Sequence, residues 1–114
     1  MSHILNSHFI WNERMLQRSH ALDSWRKIPT TDFYEKNEKK LISSMAIFNN
    51  FNINSTIEYR NSKNERFFSK TYEIFTHIVN HSSYHRGQIG ILLSNEGIPV
   101  PNTDFIFYQR DKNK

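Results

Sequence analysis

The feature that most constrains this chain is one long stripe near its C-terminal end. Ile74, Ile78, His81, His85, Gln88 and Leu92 recur at the three- and four-residue intervals that line one face of an α-helix. Such a stripe has to be buried against other helices. With 114 residues the chain has room for one domain and one core, so we expect a single all-α domain over residues 1–114, an up-down helical bundle.

The stripe is apolar at both ends and polar in the middle. A buried polar group without a partner costs about 1–3 kcal/mol, so His81, His85 and Gln88 must have partners. His81 and His85 stand four residues apart, which brings their Cβ atoms to about 5–6 Å. Two imidazoles at that spacing can converge on one ion at metal–nitrogen distances near 2.0–2.1 Å. They can equally be hydrogen-bonded core histidines. The segment HSSYH lacks the glutamate that serves as base in helical metalloprotease motifs, which excludes that chemistry. His77 lies two turns from His85, a rise of about 12 Å, so it belongs at the surface or in a supporting position rather than on the same ion. Any third ligand has to come from the first helix, which carries His3, His8 and His20. Spacing alone does not choose among them, although His20 also suits a helix end, where it interacts with the dipole.

Other elements follow from the same periodicity. Ile4, Leu5, Phe9, Trp11, Met15 and Leu16 predict a helix from about His3 to His20. DSWRKIPTTD breaks the pattern, with Pro29 and a Thr-Thr-Asp start signal. A second helix is expected from about Phe33 to Asn50, with Tyr34, Leu41, Ile42, Met45 and Phe48 on its inner side. Between Asn50 and Ser69, Ile57 and Tyr59 alternate with polar residues, and RNSKN can turn a short hairpin; an ordered crossover loop is the alternative. Ser69 is expected to cap the long last helix, which runs to about Glu96, with Gly97 closing it and Pro99 beyond. The tail PNTDFIFYQR is aromatic enough that we expect it to pack back on the bundle.

Composition excludes several function classes. There is no cysteine, hence no disulfide framework and no thiolate nucleophile or ligand, and a reducing cytoplasm fits. No apolar run reaches the roughly 20 residues of a membrane span, and MSHILNSHFIW has no signal-peptide pattern. The net charge of +4 is spread through mixed-sign segments such as RKIPTTDFYEKNEKK, without a basic stripe, which argues against a nucleic-acid partner.

NHSSYHRGQIGILL, with HILNSHFIWNERM upstream and PNTDFIFY downstream, resembles the DinB-like family of metal-binding four-helix bundles over nearly the whole chain. The resemblance implies a divalent metal held by the HxxxH pair, here His81 and His85, and by a histidine eight residues before a Trp, here His3 before Trp11. His8 falls between the matched positions. Arg86, Gly87 and Gln88 would be structural, Gly87 allowing close helix packing and Gln88 supporting a ligand. The resemblance also implies a full helix before the HILN segment; with His3 so near the start of the sequence, the expectation here is an N-terminally short domain of three helices and a hairpin. Zn²⁺ or Ni²⁺ suits three imidazoles, and an open coordination position is the mark of a catalytic site.

The expected function is a metal-dependent enzyme on a small-molecule substrate, of thiol S-transferase or hydrolase type, with a low-molecular-weight thiol as a further cofactor. The catalytic residues are not legible: Glu13 and Glu73 could help with protons but suit solvated helix charges better. The alternative is a non-catalytic helical dimerisation module with a degenerate metal site. A homodimer is expected on either reading.

Overall fold

The computed structural model describes residues 1–18 and 22–114. Four α-helices and one hairpin make up the described chain: α1 (Ser2–Met15), α2 (Phe33–Asn50), β1 (Thr56–Arg60), β2 (Arg66–Lys70), α3 (Thr71–Asn95) and α4 (Phe105–Lys112). A single 3-10 turn, Thr30–Asp32, leads into α2. The protein is mostly helical, as the periodicity requires.

The first helix is shorter than its pattern predicts. It ends at Met15, and Gln17 takes a left-handed φ of 56° that turns the chain away. The expected end at His20 lies outside the described residues. The hairpin forms, and the crossover-loop alternative does not. Thr56 pairs with Lys70 and Arg60 with Arg66, and Asn64 supplies the left-handed residue of the turn at φ 65°.

The third helix begins and ends by different devices. Ser69 does not cap it, because that residue is still in β2, its hydroxyl 3.2 Å from the Tyr59 hydroxyl. The start is closed instead by Glu73, whose carboxylate accepts the Lys70 backbone N–H at 2.7 Å, a charge-assisted bond that also suits the helix dipole. At the end, Gly97 adopts φ 71°, with Ile98 N–H donating to Leu93 and Gly97 N–H to Ser94, both at 3.0 Å. These paired bonds satisfy carbonyls that the helix would otherwise orphan.

Core packing is concentrated at one end of α1. Met15, Ile47, Ile57, Ile74 and Ile78 form a buried cluster, with Trp11, Leu16, Phe51 and Phe75 packed around it. It is where α1, α2, β1 and the first half of α3 meet. Ile74 is 1% exposed, and removing such a side chain costs about 2–5 kcal/mol. Beyond this cluster α1 buries Leu5 and Ile10 together with an unexpectedly polar set, Asn6, Ser7 and Asn12.

Three packing expectations fail. The α3 stripe is buried only at Ile74 and Ile78; His81 and His85 are half-buried, and Gln88 and Leu92 are exposed, because the buried cluster meets only the first half of α3. On α2, Tyr34, Leu41, Ile42, Met45 and Phe48 are exposed rather than inward. The face turned to α1 is instead Lys40, Ser44 and Ile47, tied by Asn12 Nδ2 to the Lys40 carbonyl at 3.3 Å and by Ser44 to Asn12 at 2.9 Å. One residue along a helix is a rotation of about 100°, enough to move the apolar stripe to the side. The tail forms α4, but Phe105, Ile106, Phe107 and Tyr108 are all exposed. Four consecutive apolar residues point around a helix and give it no single face to bury.

Candidate metal centre

His3 lies in the first turn of α1, whereas His81 and His85 lie in the middle of α3. The two helices run antiparallel: His3 meets His81, and eight residues further on Trp11 meets His77, with ring centroids 5.1 Å apart. His3, His81 and His85 converge, each offering one ring nitrogen, and these atoms all lie within 4.8 Å of one another.

Nε2 of His3 is 3.2 Å from Nε2 of His81. Two nitrogens on one tetrahedral Zn²⁺ at about 2.05 Å stand about 3.3 Å apart, so the observed separation already fits a shared ion.

The tautomers fit as well. His3 Nδ1 is 3.0 Å from the Ser24 carbonyl oxygen, which can only accept, so Nδ1 carries the proton and Nε2 keeps its lone pair. His85 Nδ1 is 2.7 Å from Gln88 Oε1, which likewise can only accept, so His85 also presents a bare Nε2. Partners of this kind, on the nitrogen away from the ion, orient metal-ligating imidazoles. Gln88 takes the supporting position that the resemblance implies, and its amide also donates to the Tyr84 hydroxyl at 3.3 Å.

His81 is held neutral. Burial, followed by the neighbouring His85, His3 and His77, brings its pKa down to about 4. A neutral imidazole is the form that can donate a lone pair to a cation.

The first turn of a helix frays unless tied down, and segment 24–28 ties down that of α1. Trp25 stacks on the His3 ring at 3.9 Å, 10° from parallel. Asn6 Nδ2 donates to the Arg26 carbonyl at 2.6 Å, and Ser2 Oγ accepts the Ile28 N–H at 2.9 Å. Sequence spacing had no way to find Ser24, Trp25 or Asn6, because their contacts cross some 18 to 26 residues of chain.

The other histidines are elsewhere. His8 Nε2 bonds to Ser44 Oγ, whose own proton goes to Asn12 Oδ1 at 2.9 Å. The serine hydrogen is thus spent, so His8 Nε2 must be the donor and has no lone pair for an ion. His77 is exposed, with its ring centroid 5.5 Å from that of His81, and lies outside the cluster. His20 is not among the described residues. Glu13 pairs with Arg18 at 3.7 Å and Glu73 closes α3, so neither faces the cluster as a proton carrier. Gly87 does not provide close packing: a Cβ there would meet nothing within 4 Å. The close approach is at Gly90, where a Cβ would lie 3.3 Å from Val100.

Beside the cluster lies an open cleft of about 1010 Å³, walled by α1, the hairpin, the segment before α2 and α3. His81 and His77 line it together with Trp11, Arg14, Trp25 and Tyr59. No described helix is long and apolar enough to cross a membrane.

A mostly helical domain that brings three histidines from two antiparallel helices to one point, beside a cleft, defines a class of candidate metal-binding helical proteins. The chain matches the model of the DinB family over residues 1–114 and belongs to that family. No curated protein and no solved structure gives a significant match.

Proposed function

We propose that this protein is a divalent-metal-dependent enzyme acting on a small molecule, of thiol S-transferase or hydrolase type, with the metal held by His3, His81 and His85. One observation carries the reading: His3, His81 and His85 each offer a ring nitrogen within 4.8 Å of the others, and His3 and His85 each commit Nδ1 to an acceptor, which leaves their Nε2 bare. A donor set of three neutral imidazoles suits Zn²⁺ or Ni²⁺. A bound divalent ion supplies Lewis-acid chemistry, making a thiol or a water more acidic near neutral pH.

The chain's own residues do the rest. Ser24 and Gln88 fix the two outer rings, and Trp25 holds His3 flat against the segment before α2. The cleft admits a small substrate along α1, and His77 on its wall offers a further ring nitrogen to it. A cytoplasmic setting fits a chain without cysteine.

The test is elemental analysis of purified, untagged protein after reconstitution. About one equivalent of Zn or Ni in the wild type, lost in His81→Ala, is the expected result. Folded wild-type protein that takes up no metal rejects the reading.

A second reading is favoured by the exposed apolar side chains of α2 and α4, among them Leu41, Ile42, Met45, Phe105 and Ile106. Exposed apolar helix surface suits an interaction site, and a second copy of this chain is the occupant proposed. On this reading the protein is a helical dimerisation module with a degenerate metal site. Light scattering at micromolar concentration tests it: a well-folded monomer counts decisively against it. A dimer is compatible with an active enzyme, so metal content separates the two readings.

A further inference from the structure

The cleft beside the histidine cluster contains a cation that pairs with no carboxylate among the described residues. Arg14 Nε is buried and has no hydrogen-bond partner among the described residues. Its guanidinium lies 4.6 Å from the centre of the Trp11 ring and 5.3 Å from that of Tyr59, and burial lowers its pKa. An arginine stays charged in proteins, so this is a partly desolvated positive charge resting on two aromatic faces.

The other ions of the cleft wall are engaged. Arg18 pairs with Glu13 at 3.7 Å, and Arg60 donates to the Asn64 carbonyl at 2.8 Å. Of the cleft's two carboxylates, Glu58 pairs with Arg66 at 3.5 Å and Asp23 accepts the Trp25 N–H at 2.9 Å. The three undescribed residues, Ser19, His20 and Ala21, bring no carboxylate. Among the described residues no carboxylate pairs with Arg14, and its fork of donors matches a planar oxyanion.

Position adds a length. Arg14 follows His3 by eleven residues, about three turns, so the two share one side of α1 about 16 Å apart along the axis, and the cluster opens to the cleft through His81. The side chain leans back toward the N-terminus and shortens that span. His81 and Arg14 line one continuous cavity.

We propose that Arg14 anchors the carboxylate of an elongated small molecule whose other end reaches the histidine cluster. Arg14 is then a specificity-determining residue, and the substrate class narrows to carboxylates with a metal-binding group, such as a thiol, at the far end. The second half of this statement rests on the metal reading above; the first half does not.

The experiment compares 6-mercaptohexanoate with 6-mercaptohexanol by calorimetry on zinc-loaded protein. It repeats the comparison with plain hexanoate on metal-free protein, following tryptophan fluorescence. The acid should bind about tenfold or more tightly than the alcohol, the scale of one charge-assisted contact. Arg14→Gln should erase that preference with zinc content unchanged, and Arg14→Lys should restore part of it. Near-UV circular dichroism of both variants confirms that the fold is kept.

Equal binding of acid and alcohol by zinc-loaded wild type overturns the anchor and leaves the metal reading standing. Absence of zinc uptake together with Arg14-dependent hexanoate binding overturns the metal reading and leaves the anchor. Inorganic phosphate that binds more tightly than either acid, in an Arg14-dependent way, overturns the carboxylate assignment.

Discussion

His3 and His8 stand five residues apart on the same helix and end in opposite conditions. His8 donates to Ser44, Ser44 to Asn12, and the Asn12 amide to the Lys40 carbonyl, so the chain of bonds crosses between α1 and α2 and ends on the α2 backbone. His3 spends one nitrogen on Ser24 and turns the other toward His81 and His85. Both are half-buried imidazoles, so burial does not tell them apart. What differs is the remaining bonding capacity. A polar cluster whose hydrogen bonds tie two helices together is a fastener, and one with ring nitrogens left over at one point is a candidate site.

Exchanging the roles of these two histidines should give the largest effects. His3→Ala should abolish stoichiometric metal uptake with the fold retained, as judged by elemental analysis beside circular dichroism. His8→Ala should keep the metal and lower the melting temperature. If His8→Ala loses the metal as well, the two clusters are not independent and the comparison fails. A smaller effect is expected from Gln88→Ala. Loss of a partner that orients a ligand typically weakens metal binding about 10–100-fold. Gln88 is exposed, so stability should hardly change; competition with a coloured chelator reads the affinity directly.

How far the sequence carried this distinction depends on the reach of each contact. The HxxxH pair lies on one helix, and the bond from Gln88 to His85 spans one turn, so helical spacing exposes both. The α2 bounds and the Gly97 closure of α3 are likewise local and were legible, as was the RNSKN turn. The choice of His3 over His8 is not local. It rests on where Ser24, Trp25 and Ser44 arrive after a long loop or a whole helix. The apolar residues of α2 misled for a related reason. Periodicity finds a stripe, but the polar residues Asn12 and Ser44 decided which face meets α1. Ser69 looked like a cap because a strand residue and a helix cap can share one sequence signature.

The α1–α2 fastener can be cut without touching either histidine. Ser44→Ala leaves the His8 Nε2–H and Asn12 Oδ1 without their shared partner. Orphaned buried polar groups cost about 1–3 kcal/mol, which in a domain of this size lowers the melting temperature by several degrees. Metal content should be unaffected. An unchanged melting temperature would indicate that water replaces the serine and that the chain of bonds contributes little.

The smallest effect expected is on the pH dependence of stability in metal-free protein. Burial lowers the pKa of His8 below its ordinary 6.5, with Lys40 adding to the effect. The pKa of His77 is lowered by burial and by Arg14, and that of His81 is held near 4. All three act in the same direction. The unfolded chain takes up protons first, near pH 6.5, while the folded chain resists, so stability is full above that pH and falls as the pH drops below it. Urea midpoints measured from pH 7.5 down to pH 5 should decrease. His8→Gln, which can still donate to Ser44, should flatten the slope without removing it, because His77 and His81 remain. A slope identical to that of the wild type would mean that His8 is already solvated enough to titrate freely, and the closed cluster would then differ less from the open one than its hydrogen bonds suggest.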